Sequence, residues 1–289
     1  MAKKEPSRSF GRSPLLICIA VLIAGGWWIW HTPTLANLKD QLLQYIDNRD
    51  IVTLEARLLP EQVIQMHRNE LLGNEKRTIQ NTILKYYPYL LLDVKYPENA
   101  KTREGVILWG LNDGEMVLNT ETWETTHGYH DCLECEAGRS DFKIMQAIAR
   151  RQGTMTLEEL QKELQVERDV LNTWLESAKK KHLIVQKGNS FQLHFESPKF
   201  LMTPQTKIKQ HLVLKPLGDG QKAPRTYTHN QILNMTQAAF GSDFKIRSET
   251  EIFLPIYSIE VLNPDGSIQV TEWNALTGNQ IPRRYLSKD

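Results

Sequence analysis

Four side chains able to bind a transition metal fall within nine residues: His127, His130, Cys132 and Cys135, as His-x-x-His-x-Cys-x-x-Cys. Imidazole and thiolate are ligands of tetrahedral zinc, so the stretch is a candidate zinc site. Its spacing is unusual. Structural zinc sites bring ligand pairs from two knuckles separated by a longer span, and here one residue divides the pairs. A Cys132–Cys135 disulfide and a polar interdomain loop with unlinked cysteines are the alternatives. A redox dithiol would need a thioredoxin-like βαβ context, which the flanking sequence lacks. Elsewhere there is no Gly-x-Ser-x-Gly, no phosphate-binding loop and no His-Glu-x-x-His. Asp93, Asp113 and Asp265 stand alone in strands or turns. No catalytic residue and no cofactor other than zinc is expected, so the chain reads as non-enzymatic.

The N-terminus sets the expected setting. Residues 14–30 carry no charge and end in Trp27, Trp28 and Trp30. At the helical rise they cover about 25 Å, near the lower limit for a membrane span. Lys3, Lys4, Arg8 and Arg12 precede them, and Lys39 and Arg49 follow. The Lys/Arg bias places the N-terminus in the cytoplasm and the body across the membrane. The expectation is a signal-anchor: a single-pass inner-membrane protein with a periplasmic or otherwise extracytoplasmic body. A cleavable signal peptide ending at Thr34-Leu35-Ala36 is the alternative.

Beyond the anchor, the net charge of the whole chain is +1, so no strong field selects a nucleic acid or an acidic partner. Residues 1–13 form a basic tail, and 31–58 a linker with a short amphipathic helix from Asn37 to Asn48. Residues 59–136 read as an α+β segment. Helices are expected from Pro60 to about Leu72 and on to about Tyr86, with strands at 89–96, 105–111 and 116–120. Residues 137–197 order as three helices and a β-hairpin, which resembles a winged helix. That fold often places its third helix in a DNA groove. Here the segment carries ten Lys or Arg against eight Asp or Glu, and Glu167, Asp169 and Glu176 oppose phosphate contact. Residues 203–289 read as a second α+β segment, with a helix from Thr228 to Phe240 and strands at 244–247, 253–262 and 267–273.

Two turns look alike. Asn112-Asp113-Gly114 precedes Thr120-Glu121-Thr122-Trp123, and Asn263-Pro264-Asp265-Gly266 precedes Thr271-Glu272-Trp273. Two copies of one unit, or common turn residues met twice by coincidence, explain this. The expected fold class is therefore α+β: an N-terminal transmembrane helix, then two α+β segments flanking a winged-helix-like domain. The expected function is a membrane-anchored protein-interaction or assembly module with a protein partner in the envelope. The alternatives are a membrane-tethered nucleic-acid-binding regulator with a cytoplasmic body, and an envelope hydrolase whose site the sequence does not display.

Overall fold

The computed structural model describes residues 50–73, 76–98, 101–151, 153–195, 199 and 202–282. In chain order the elements are β1 (Ile51–Leu54), α1 (Pro60–Met66), α2 (Arg68–Leu72), β2 (Thr78–Glu98), β3 (Lys101–Gly110), β4 (Met116–Asn119) and β5 (Glu124–Thr125). There follow α3 (Tyr129–Glu134), α4 (Arg139–Arg150), β6 (Thr154–Thr156), α5 (Leu157–Leu164), α6 (Arg168–Lys180), β7 (Ile184–Lys187) and β8 (Ser190–Leu193). The chain continues as β9 (Leu212–Lys215), β10 (Gln221–Lys222), α7 (His229–Phe240), β11 (Lys245–Leu262) and β12 (Ile268–Asn274).

β2 and β11 are the frame. They pair antiparallel along most of their length, from Leu262 opposite Thr78 to Lys245 opposite Lys95. β3 adds to β2, and β12 and β1 add to successive stretches of β11, within a nine-stranded sheet. Residues 78–86 were expected to be helical, because Ile79, Ile83 and Leu84 lie near helical spacing. They form a strand instead. Thr78, Ile79, Thr82, Ile83, Tyr86 and Tyr87 are β-branched or aromatic, and a full-length partner strand rewards that choice. Pro88, a residue that would end a helix, lies inside β2. The strands expected at 244–247 and 253–262 are likewise one strand, β11.

The two long strands head equivalent units, and the backbone hydrogen bonds prove the correspondence. Leu111 N donates to Pro88 O at 3.1 Å, and Ala275 N donates to Pro255 O at 3.1 Å. Gly114 N closes a turn on Gly110 O at 3.2 Å, and Gly278 N closes one on Asn274 O at 2.8 Å. Both glycines have positive φ, 68° and 75°, where a side chain would be strained. The units also clasp each other crosswise. Thr226 N and Tyr227 N donate to Leu111 O, while Arg57 N and Leu58 N donate to Ala275 O. β1 runs parallel to β11 with Thr53 opposite Phe253, and β10 runs parallel to β2 with Lys222 opposite Tyr86. So α1–α2 corresponds to α7, Pro88 to Pro255, and Trp109 to Trp273. The alignment expected from the sequence, Asn112–Gly114 with Asn263–Gly266 and Trp123 with Trp273, is corrected by this register.

Three of the hydrophobic clusters on the sheet organise the rest. Val63, Leu71, Ile259, Val261 and Trp273 join α1–α2 to the β11–β12 half. Tyr89, Leu108, Val117, Ile252, Leu254 and Ile256 fill another region of the sheet. There Thr206 N donates to Val106 O and Lys207 N to Leu118 O, before the chain goes on to β9 beside β1. The third cluster joins Leu90, Leu92, Trp109 and Leu111 of the sheet unit to Phe142, Ile144, Met145, Leu160, Leu171 and Leu175 of the helices.

That continuity corrects the expected architecture. The described residues form one compact unit. The two α+β segments share one sheet, and no separate winged-helix unit stands out between them. The core of α4, α5 and α6 is continuous with that of the sheet. The fold is a mixed α+β one. Among the described residues no helix is long and apolar enough to cross a membrane. The expected anchor at residues 14–30, the basic tail and the helix from Asn37 to Asn48 lie outside the described residues. The readings built on the anchor are corrected with it. No described element supports a membrane partner, a single-pass inner-membrane topology, a signal-anchor or a periplasmic body. The membrane-anchored assembly module, the membrane-tethered winged-helix regulator and the envelope hydrolase lose their structural basis.

Candidate metal centre

The stretch expected to be a ligand-bearing loop is largely the short helix α3, and one buried carboxylate explains why. Glu115 follows the Gly110–Gly114 turn and is 1 % exposed. Its Oε1 accepts hydrogen bonds from Gly128 N at 3.0 Å and His130 N at 3.2 Å. Its Oε2 accepts from Thr126 Oγ1 at 2.8 Å and Tyr129 N at 3.4 Å. A carboxylate at the opening turn satisfies amide donors that have no partner within the helix. Gly128, with φ 107°, supplies the reversal into the helix.

Helical geometry then sorts the side chains. Tyr129, Cys132 and Leu133 point into the core. His130, Asp131 and Glu134 remain half-buried or exposed, and a ligand atom from each lies within 4.8 Å of the others. Residues four apart share a helix face, so His130 and Glu134 are neighbours by construction. His130 Nε2 lies 3.6 Å from Glu134 Oε1. His130 Nδ1 lies 2.7 Å from Tyr227 Oη, delivered by the loop before α7. In the tautomer whose Nδ1–H donates to the Tyr227 oxygen, Nε2 keeps its lone pair on the Glu134 side. This is the arrangement that orients a ligating imidazole: one nitrogen held by a protein group, the other open to an ion.

The four residues singled out from the sequence part company. His130 belongs to the cluster. His127 is exposed, and its carbonyl accepts from Lys199 N at 3.2 Å. Cys132 is fully buried, and both thiols are free. Burial, with the neighbouring Cys135, Glu115, Asp131 and Asp141 behind it, pushes the Cys132 thiol far above its ordinary pKa. Burial also raises the Cys135 thiol, although Lys181 works in the opposite direction. The thiolate is the metal-binding form, so both environments disfavour ligation. Cys135 Sγ instead lies 3.7 Å from Cys132 O, as a weak donor.

Asp131, Glu134 and Tyr227 were missed. Glu134 carries a signal, its i, i+4 spacing from His130 once the stretch is read as a helix, whereas Asp131, next to His130 in the chain, has no such spacing. Tyr227 carries none, because the crosswise clasp brings it from 97 residues away. The depression lined by Glu158, Gln161, Lys162, Gln165 and Val166 shares no residue with this cluster. His130, Asp131 and Glu134 could coordinate a metal ion. Comparison with family models, with curated proteins and with solved structures gave no match.

Proposed function

We propose that this protein is a non-enzymatic binding protein for a divalent transition ion of the zinc class, held by His130 Nε2, Asp131 and Glu134. The observation that carries the reading is the approach of three ligand atoms within 4.8 Å on one short helix. The Tyr227 contact supports it by fixing the imidazole, and Glu115 supports it by anchoring the helix that bears all three ligands. Imidazole and carboxylate oxygen suit zinc, and a nitrogen donor disfavours calcium or magnesium.

Isothermal titration of the metal-free protein with zinc tests this. One ion binds per chain. His130→Ala abolishes saturable binding, and Tyr227→Phe, which removes the orienting hydroxyl, weakens it by about tenfold. Zinc binding that is unchanged in His130→Ala contradicts the assignment.

A further inference from the structure

Two equivalent turns of the frame carry a glycine at the same place, and one of them lies against the proposed metal ligands. Gly114 closes the turn after β3 and Gly278 the turn after β12, with φ of 68° and 75°. A Cβ on Gly278 would meet Leu58 Cδ1 at 3.0 Å and Met66 Cε at 3.2 Å. Both are the ends of flexible side chains, and Met66 is 59 % exposed, so it can swing aside. A Cβ on Gly114 would meet Leu133 Cδ1 at 2.6 Å, Tyr227 Cε2 at 2.9 Å and His130 Cα at 3.4 Å. Leu133 and His130 belong to α3, which bears the ligands, and Tyr227 holds the imidazole.

The contact with Tyr227 is the one that local adjustment does not relieve. Leu133 ends in a methyl group that a rotamer change can move. Tyr227 is a rigid ring, buried in the core, and Cε2 is bonded to the carbon that carries the hydroxyl. Displacing that atom displaces the oxygen that lies 2.7 Å from His130 Nδ1. The turn itself is held on both sides. Gly114 N donates to Gly110 O at 3.2 Å, and Gly114 O accepts from the buried Trp109 Nε1 at 3.0 Å. The next residue, Glu115, fixes the start of α3 through both carboxylate oxygens. Tyr227 is held from its own side, since its amide donates to Leu111 O at 2.9 Å. A side chain at position 114 is therefore accommodated at the expense of the contact between Tyr227 and His130.

We infer that Gly114 is a positioning residue of the His130 centre: lacking a side chain, it lets the Tyr227 ring stand where its hydroxyl orients the imidazole. For its effect on metal affinity the inference rests on the zinc reading above, and for its effect on the imidazole it rests on the fold alone. A displaced ring frees the imidazole to turn about its side-chain bonds. Zinc affinity then falls by the tenfold or more that loss of an orienting partner costs.

The test is a double-mutant cycle on the full chain with two readouts, zinc titration and the NMR resonances of the His130 ring nitrogens, assigned by their loss in His130→Ala. Tyr227→Phe defines the spectrum of the imidazole without the hydroxyl. Gly114→Ala is expected to move the metal-free spectrum to that of Tyr227→Phe and to weaken zinc binding about tenfold. Adding Tyr227→Phe to Gly114→Ala should cost no further affinity, because both act through one contact. Gly278→Ala is the control for backbone strain. It should lower the melting temperature, as Gly114→Ala does, yet keep the parent's spectrum and zinc affinity. Gly114→Ala with the parent's spectrum overturns the inference, as do additive losses in the double variant or an equal loss of zinc in Gly278→Ala. A Tyr227→Phe spectrum identical to the parent's overturns it too, and that arm holds even where Gly114→Ala fails to fold. A parent protein that binds no zinc contradicts the zinc reading, while the metal-free spectra still decide the role of Gly114.

Discussion

Single side chains in this protein are governed by what surrounds them more than by their own chemistry. Cys132 and Cys135 have the sequence spacing of a ligand pair, yet the helix turns one into the core and leaves the other half-buried. Burial holds both as thiols. With Cys18→Ser in the background, the folded protein at neutral pH is expected to react with Ellman's reagent slowly, and at Cys135 alone. Two thiols per chain should react at once in guanidinium. Rapid titration of two thiols in the folded state would show that α3 does not bury Cys132. Glu115 illustrates the same rule from the opposite side. In sequence it is one acid after a turn, and in the fold its carboxylate meets four donors that define α3.

At the scale of elements, polar clasps set how helices meet the sheet. Glu251 of β11 accepts from His229 Nε2 at 3.1 Å and pairs with Arg225 at 2.7 Å, which ties the start of α7 to the sheet. Burial alone would raise the Glu251 pKa. The His229 hydrogen bond and the Arg225 charge outweigh burial and leave it below the ordinary value. A carboxyl with a depressed folded pKa stabilises the fold above the unfolded value of about 4.3, and that contribution is lost as pH falls through the folded value. Glu251→Gln should therefore cost about 1 kcal/mol at pH 7. Urea unfolding at pH 7, 5 and 3.5 measures this. The gap between parent and variant should close toward the acid end, and a gap that does not vary with pH would refute the clasp.

Several elements were legible in advance and others were not, for reasons of periodicity and partnership. Thr228 opens its helix as a capping residue with Gln231 three positions on, as local rules require. The Gly114 and Gly266 turns were equally visible. Residues 78–86 were misread because a strand with apolar residues at 79, 83 and 84 imitates a helix until its partner is known. The two turns share residues for generic reasons, so their likeness misplaces the repeat. Its better trace runs through the long strands: Pro88-Tyr89-Leu90-Leu91-Leu92-Asp93-Val94 against Pro255-Ile256-Tyr257-Ser258-Ile259-Glu260-Val261. Of the site, His130 was legible and Tyr227 was not, because only the crosswise clasp joins them.

For the whole molecule, two helix–strand–strand units with matching backbone hydrogen bonds make a frame, and the chain between them makes it asymmetric. The chain between the units supplies α3 and the helical layer behind it, so one turn of the frame gains Glu115, α3 and the His130 cluster. The equivalent turn at Gly278 has Asn279 in the place of Glu115, and among the described residues no helix follows it. The proposed metal site is thus a property of one unit only, although the frame is shared. X-ray absorption at the zinc edge of the loaded protein tests this most directly. The result expected is a first shell of nitrogen and oxygen alone at about 2.0–2.2 Å, with an imidazole signature lost in His130→Ala. A sulfur shell at about 2.3 Å would contradict it and return the ion to Cys132 and Cys135.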